Sequence, residues 1–202
     1  MTKFWEIMAK RTFDIILSIF GLLFLFPFFI IPAFLILMDS KGGVFYKQTR
    51  VGRYNKDFKL IKFRTMKMLS DKEGLLTTSS RDPRITKIGF FLRKYKIDEL
   101  PQLINVLLGD MSFVGPRPEV RKYVDLYTPD QLKVLNHRPG ITDVSSIKYS
   151  NENKILERVP DPEKYYIEVI MQDKLKLNLA YLESQNLLSD IKTIFKTIMK
   201  IL

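Results

Sequence analysis

The longest apolar pattern in the chain is an unbroken block, IILSIFGLLFLFPFFIIPAFLILM, at residues 15–38: 24 residues with no charge and Ser18 as the sole hydroxyl. As a straight helix it would extend about 36 Å, enough to cross a bilayer core of about 30 Å. Pro27 at its middle and Pro32 beyond it each remove a helical hydrogen bond. Cations stand on both sides, with Lys3, Lys10 and Arg11 before the block and Lys41, Lys47, Arg50 and Arg53 after it. A spanning helix wants one flank depleted of positive charge. The pattern therefore predicts a helix that enters the membrane, breaks at Pro27 and returns to the same face. A tilted, proline-kinked span is the competing reading.

Shorter patterns follow. Residues 44–46 and 58–63 read as two strands joined by a turn over residues 52–56. Lys62 and Arg64 flank Phe63 and would share one strand face, either as ligand-facing cations or as an ordinary guarded edge. Residues 70–80 are polar and read as a loop near the site. Helical spacing returns over residues 88–95, which carry Arg93, and through Leu100, Leu103, Ile104, Leu107 and Leu108. Asp98 reads as the N-cap of that second helix, with Pro101 in its first turn and Gly109-Asp110 at its end. Pro116-Arg117-Pro118 reads as a stiff turn with one fixed cation. Residues 119–127 and 129–135 predict short helices, residues 141–149 an extended segment, and residues 163–182 a long helix. In the tail, Lys192, Lys196 and Lys200 lie on one helical face and Leu188, Ile191, Phe195, Ile198 and Leu202 on the other. That suits a helix lying in a membrane interface, although a core-packing helix has the same pattern.

The expected fold is α+β and helix-rich. Residues 1–40 form a re-entrant membrane helix-break-helix, and residues 41–202 a cytosolic, membrane-associated catalytic domain with short strands and interfacial amphipathic helices. The net charge of +11 implies an anionic partner: nucleic acid, phospholipid headgroups or a phosphorylated substrate. The apolar block argues against nucleic acid. With no cysteine, disulfides and thiolate metal sites are excluded, and a single histidine, His137, excludes a histidine cluster.

The candidate chemistry centres on Asp98-Glu99, which follows Arg81, Arg84, Lys87, Arg93, Lys94 and Lys96. Capping is the plain reading of two carboxylates at a helix start. The surrounding cations give a second one. A phosphate diester repels an anionic nucleophile, and fixed Arg and Lys side chains with a divalent metal cancel that repulsion. Asp98 could then attack phosphorus, with Glu99 helping to hold Mg²⁺. Arg93 and Arg117 would supply bidentate donors to phosphate, and Lys62 and Arg64 further charge.

The chain resembles the small monotopic phosphoglycosyl transferases of the bacterial sugar transferase family. The matching stretches are the proline-broken apolar helix, FYKQTRVGR at 45–53, KLIKFRTM at 59–66, the run DPRITKIGFFLRKYKIDELPQLINVLLGDMSFVGPRPE at 82–119, and RPGIT at 138–142. The resemblance implies transfer of phospho-sugar from a UDP-sugar to polyprenyl (undecaprenyl) phosphate through a covalent aspartyl intermediate, releasing UMP, at the first membrane step of surface glycan synthesis. It implies Asp98 as nucleophile, Asp98 and Glu99 as the Mg²⁺ site, and Lys62, Arg64, Arg93, Pro116, Arg117, Pro118 and Arg138 as substrate-binding residues. It places the membrane break at Pro27 and the domain on the cytoplasmic face of the bacterial inner membrane. Membrane lipid is the expected surroundings and no nucleic acid is a partner; a homodimer and downstream glycosyltransferases are left open. Two positions depart from the family pattern. Phe26 precedes Pro27 where a serine is frequent, which leaves Ser18 or a carbonyl to compensate. Ser150 stands where close relatives have a phosphate-binding arginine, with Lys148, Lys154 or Arg158 as substitutes. The alternative function is a catalytically impaired scaffold of the same fold in a glycan-assembly complex.

Overall fold

A computed structural model describes residues 2–68 and 82–201. The expected loop over residues 70–80 and the cation Arg81 lie outside the described residues. The fold begins with one long helix, α1 (Thr2–Asp39), which contains both Pro27 and Pro32 and is helical throughout. Its inward-facing side is a single stripe. Asp14, Ser18, Pro32 and Ile36 are buried, and Gly21 and Phe29 recur on the same side at helical spacing. Phe20, Leu23, Phe24, Phe28, Ile31 and Phe34 point away from the rest of the chain and are exposed.

Both ends of α1 are held by polar bonds to the same body. Near its start, Arg11 donates to the carbonyls of Val106 at 2.7 Å and Leu107 at 3.0 Å. One turn later, Asp14 accepts from the Phe113 amide at 3.1 Å. At its end, Asp39 accepts from the Ile88 amide at 2.9 Å. Ser18 donates to the Ile15 carbonyl of its own helix, so it does not compensate for the hydrogen bond lost at Pro27.

The predicted hairpin forms, with β1 (Phe45–Val51) antiparallel to β2 (Asp57–Phe63) and Tyr46 opposite Lys62. Next come α2 (Lys87–Lys94) and α3 (Gln102–Leu108), separated by a 3₁₀ turn over Ile97–Glu99. The geometry of that corner is set by Lys96, whose φ of 57° puts it in the left-handed region. Asn105 locks α3 onto β2: its Oδ1 accepts from the Ile61 amide at 2.9 Å and its Nδ2 donates to the Lys59 carbonyl at 2.8 Å.

A second sheet escaped the sequence reading. The strand β3 (Ser112–Val114) pairs in parallel with β4 (Gly140–Thr142), and between them lies the short helix α4 (Arg121–Val124). The pairing sets the glycine-proline turn directly against the RPGIT segment. A Cβ on Gly140 would fall 2.2 Å from the Gly115 nitrogen, so only glycine fits there. The expected extended segment over residues 141–149 is only half right. After β4 the chain turns into α5 (Val144–Lys148), because Asp143 caps it.

The remainder is helical: α6 (Glu152–Leu156), α7 (Pro162–Tyr165), a π turn over Tyr166–Ile170, and α8 (Met171–Glu183). Tyr166, Ile170, Met171 and Leu175 from this stretch pack on Val120, Tyr123, Val134 and Leu156 to form the largest core. The chain ends in α9 (Leu187–Ile201), whose small polar residues face inward. Asp190 and Thr193 are buried, while Leu188, Ile191, Phe195, Ile198 and Met199 are exposed. A core-packing helix would do the reverse.

Candidate active site

The acidic pair lies where α2, β2, α3 and the Pro-Arg-Pro turn converge. Glu99 sits at the end of the 3₁₀ turn, held from two sides. Lys62 on β2 donates to its Oε1 at 3.1 Å, and Arg117 donates to Oε2 at 3.3 Å and also to Oε1. Burial alone would push the Glu99 carboxyl up, but Arg117 and Lys62 outweigh it and hold the group well below the usual carboxylate range. The Arg117 guanidinium is in turn made more basic, chiefly by Glu99.

Asp98 has a different environment. It is 6% exposed, and its Oδ1 is buried with no hydrogen-bond partner among the described residues. It does not cap α3. The residue preceding that helix is Pro101, and the amides of the corner are taken by backbone carbonyls, Glu99 to Lys96 at 3.2 Å and Leu100 to Ile97 at 3.2 Å. Burial and the neighbouring Glu99 push the Asp98 carboxyl up, against the lowering influence of Lys62, Arg93 and Lys96. A buried carboxylate oxygen left unpaired amid cations is costly unless something arrives to use it.

Of the other predicted site residues, Arg93 is half-buried on α2, with its Nε donating to Thr65 Oγ1 at 3.1 Å. Burial weakens its basicity, and Asp98 partly restores it. Burial likewise lowers the Lys62 ammonium, with Glu99 opposing. Pro116 and Pro118 flank Arg117 and are fixed through their carbonyls, Pro116 accepting from the Gly140 amide at 3.0 Å and Pro118 from Arg50 at 3.1 Å.

Arg64 and Arg138 lie elsewhere. The strand ends at Phe63, so Arg64 does not share a face with Lys62. Its guanidinium closes the C-terminal end of α1, donating to the carbonyls of Ser40 at 2.8 Å, Lys41 at 2.6 Å and Gly43 at 2.6 Å. Arg138 donates to the Gly109 carbonyl at 2.9 Å, at the end of α3 opposite to Asp98. Ser150 is exposed in the turn between α5 and α6. Of its suggested substitutes, Lys148 pairs with Asp173 at 2.6 Å, and Lys154 and Arg158 are exposed.

The sequence reading missed Asp143, which is 1% exposed. Its Oδ2 accepts from the Arg117 amide at 3.1 Å and Ser146 Oγ at 2.9 Å, and its Oδ1 from Ser145 Oγ at 2.5 Å and the Ser146 amide at 2.7 Å. One carboxylate thereby caps α5 and fixes the backbone of the Pro-Arg-Pro turn. Asp-Val-Ser-Ser is the signal that could have revealed the cap.

A divalent cation finds limited protein ligands here. No cluster of three or more acidic, histidine or cysteine ligands occurs among the described residues. Both Glu99 oxygens face cations, which leaves the unpaired Asp98 oxygen as the available acceptor. That fits Mg²⁺, which takes one or two carboxylates together with substrate phosphates, better than a metal needing a full protein cage.

The family model described as bacterial sugar transferase matches residues 5–202. The exopolysaccharide production protein ExoY of Sinorhizobium fredii is 34% identical over 205 residues, covering 94% of this chain and 84% of that protein. A putative undecaprenyl-phosphate N-acetylgalactosaminyl 1-phosphate transferase of Bacillus subtilis is 43% identical over 133 residues, 66% of this chain and 70% of its own. The UDP-glucose:undecaprenyl-phosphate glucose-1-phosphate transferase of Escherichia coli is 36% identical over 199 residues, which cover 96% of this chain and 40% of that protein.

Proposed function

Because the chain belongs to the bacterial sugar transferase family, we propose that it is a phosphoglycosyl transferase that moves phospho-sugar from a UDP-sugar to undecaprenyl phosphate. The observation that carries the reading is the buried, unpaired oxygen of Asp98 beside a glutamate clamped by Lys62 and Arg117. In the first step that oxygen attacks the phosphorus bearing the sugar. The phosphoanhydride bond breaks, and UMP leaves with the electron pair. In the second step an oxygen of the lipid phosphate attacks the same phosphorus, and Asp98 departs as a carboxylate. Splitting the transfer in two spares the enzyme a direct approach of two anionic substrates.

Lys62, Arg93 and Arg117 supply the positive field in which charge develops on the phosphoryl oxygens. Mg²⁺, held by Asp98 together with the donor phosphates while Glu99 stays engaged with Lys62 and Arg117, would add to that neutralisation. Chelation with EDTA should then silence turnover, and added Mg²⁺ restore it.

The membrane arrangement rests on the outward apolar faces of α1 and α9. A helix whose two ends are both bonded to one domain cannot place those ends on opposite sides of a bilayer. On this reading residues 1–40 enter and leave on one face, the cytoplasmic face of the inner membrane, and residues 41–202 form the catalytic domain beneath them. Pro27, which removes one helical hydrogen bond, is the expected place of bending. The test is UMP release by detergent-purified protein with Mg²⁺ and undecaprenyl phosphate, across a panel of UDP-sugars. Release with one donor supports the transferase; silence across the panel from folded protein favours a scaffold.

A further inference from the structure

α3 buries two amide side chains, one of which is bonded to β2. Asn105 is 1% exposed and has both ends of its amide occupied, by the Ile61 nitrogen and the Lys59 carbonyl. Gln102, one turn earlier, is 2% exposed, and its Nε2 is buried with no hydrogen-bond partner among the described residues. Asp98, one further turn back, carries the unpaired Oδ1.

Spacings of three and four residues place these side chains along one side of a helical path. Asn105 fixes that side against residues 59–61, and Lys62, next on the strand, reaches Glu99. Along α3, Gln102 therefore lies between the Asn105 lock and the acidic pair. A buried amide without a partner costs stability, because its bonds to water in the unfolded chain are lost and not replaced. Here a free donor stands one turn from a free acceptor, and the two are not bonded to each other. A phosphoryl group uses both, since it offers an electrophilic phosphorus to the carboxylate and anionic oxygens to the amide.

We propose that Gln102 is a further catalytic residue, whose Nε2 donates a hydrogen bond to a non-bridging oxygen of the phosphoryl group attacked by Asp98. The role rests on the transferase reading above. No proton is transferred. The amide acts as a fixed donor aimed at oxygens on which charge is redistributed as the bond to UMP breaks and the bond to Asp98 forms.

The test compares Gln102→Met, which keeps length and loses the donor, with Gln102→Glu, which keeps shape and adds a carboxylate. Both are measured for kcat and for the donor KM by UMP release, and for Tm. Gln102→Met is expected to melt at or above the native Tm while kcat falls about 10²-fold. Gln102→Glu should also be slow, with the acid limb of its pH profile moved to higher pH because a second carboxylate opposes ionisation of Asp98. A structural amide gives the opposite result, a lowered Tm with near-native kcat per folded enzyme, and that would overturn the role. An active native enzyme with an equally active Gln102→Met sinks this role alone. A native enzyme silent with every donor sinks the transferase reading and this role together.

Discussion

The amino group of Lys62 lies 3.1 Å from Oε1 of Glu99, while the neighbouring Asp98 keeps a buried oxygen without a partner. Two adjacent carboxylates thus have separate tasks: Glu99 anchors the cations and Asp98 stays open. Replacing Lys62 with Met should lower kcat by about 10²-fold, the order found when one preorganised charge partner of a transition state is lost. It should also move the acid limb of the pH profile. Lys62 favours the ionised form of Asp98, so its removal raises the Asp98 pKa and displaces the limb to higher pH. A pH–rate series on both proteins checks the direction.

Asp98→Asn separates activity from stability. Turnover should fall by at least about 10³-fold, as for loss of a nucleophile. The Asp98 carboxyl is raised in the folded state, so its ionised form opposes folding above the unfolded pKa, and that cost fades as pH falls through the folded pKa. The asparagine variant should therefore melt at or above the native Tm at pH 7. A scan of Tm against pH would expose a stabilising carboxylate by the opposite trend.

Asp143→Ala tests the support behind Arg117. Four donors converge on that buried carboxylate, so the variant should lose at least about 2 kcal/mol of stability. Once folded, it should show a raised donor KM, because the Arg117 backbone is no longer held. Denaturant unfolding and donor saturation curves measure the two effects separately.

The absence of cysteine makes topology directly testable. Single cysteines introduced as Glu6→Cys and Lys41→Cys flank the apolar block from either side. Both should resist a membrane-impermeant thiol reagent in intact cells and react once the inner membrane is opened. Labelling of one alone in intact cells would establish a spanning helix.

The outward face of α9 should contribute to membrane affinity. Phe195 is 63% exposed, and Phe195→Glu places a charge where an apolar ring would enter the interface. Sedimentation with anionic vesicles should weaken while near-UV circular dichroism stays native. Unchanged sedimentation would assign the apolar face another role.

The parts of this fold written in local pattern were readable from the chain: the apolar block, the hairpin, the amphipathic tail and the acidic pair among cations. What escaped depends on neighbours distant in sequence. The pairing of Ser112 with Gly140 leaves no periodic trace in strands of three residues each. Arg64 reads as a strand cation, but the carbonyls at the end of α1, more than twenty residues earlier, claim it. Asp98 has the residue type of a cap, and local propensity favours that role. The left-handed Lys96 and the 3₁₀ turn after it leave the carboxylate buried beside Glu99 instead. Asp143 and Gln102 went unnoticed because a polar residue signals a site only once its burial is known.

The most direct measurement is a covalent trap at Asp98. Purified protein is incubated with Mg²⁺ and the active UDP-sugar without lipid acceptor, then digested and weighed. The account predicts phospho-sugar on the peptide containing Asp98, absent from Asp98→Asn and discharged when undecaprenyl phosphate is added. Transfer that proceeds with acceptor while UMP is never released without it, and with no adduct at Asp98, would contradict the covalent mechanism.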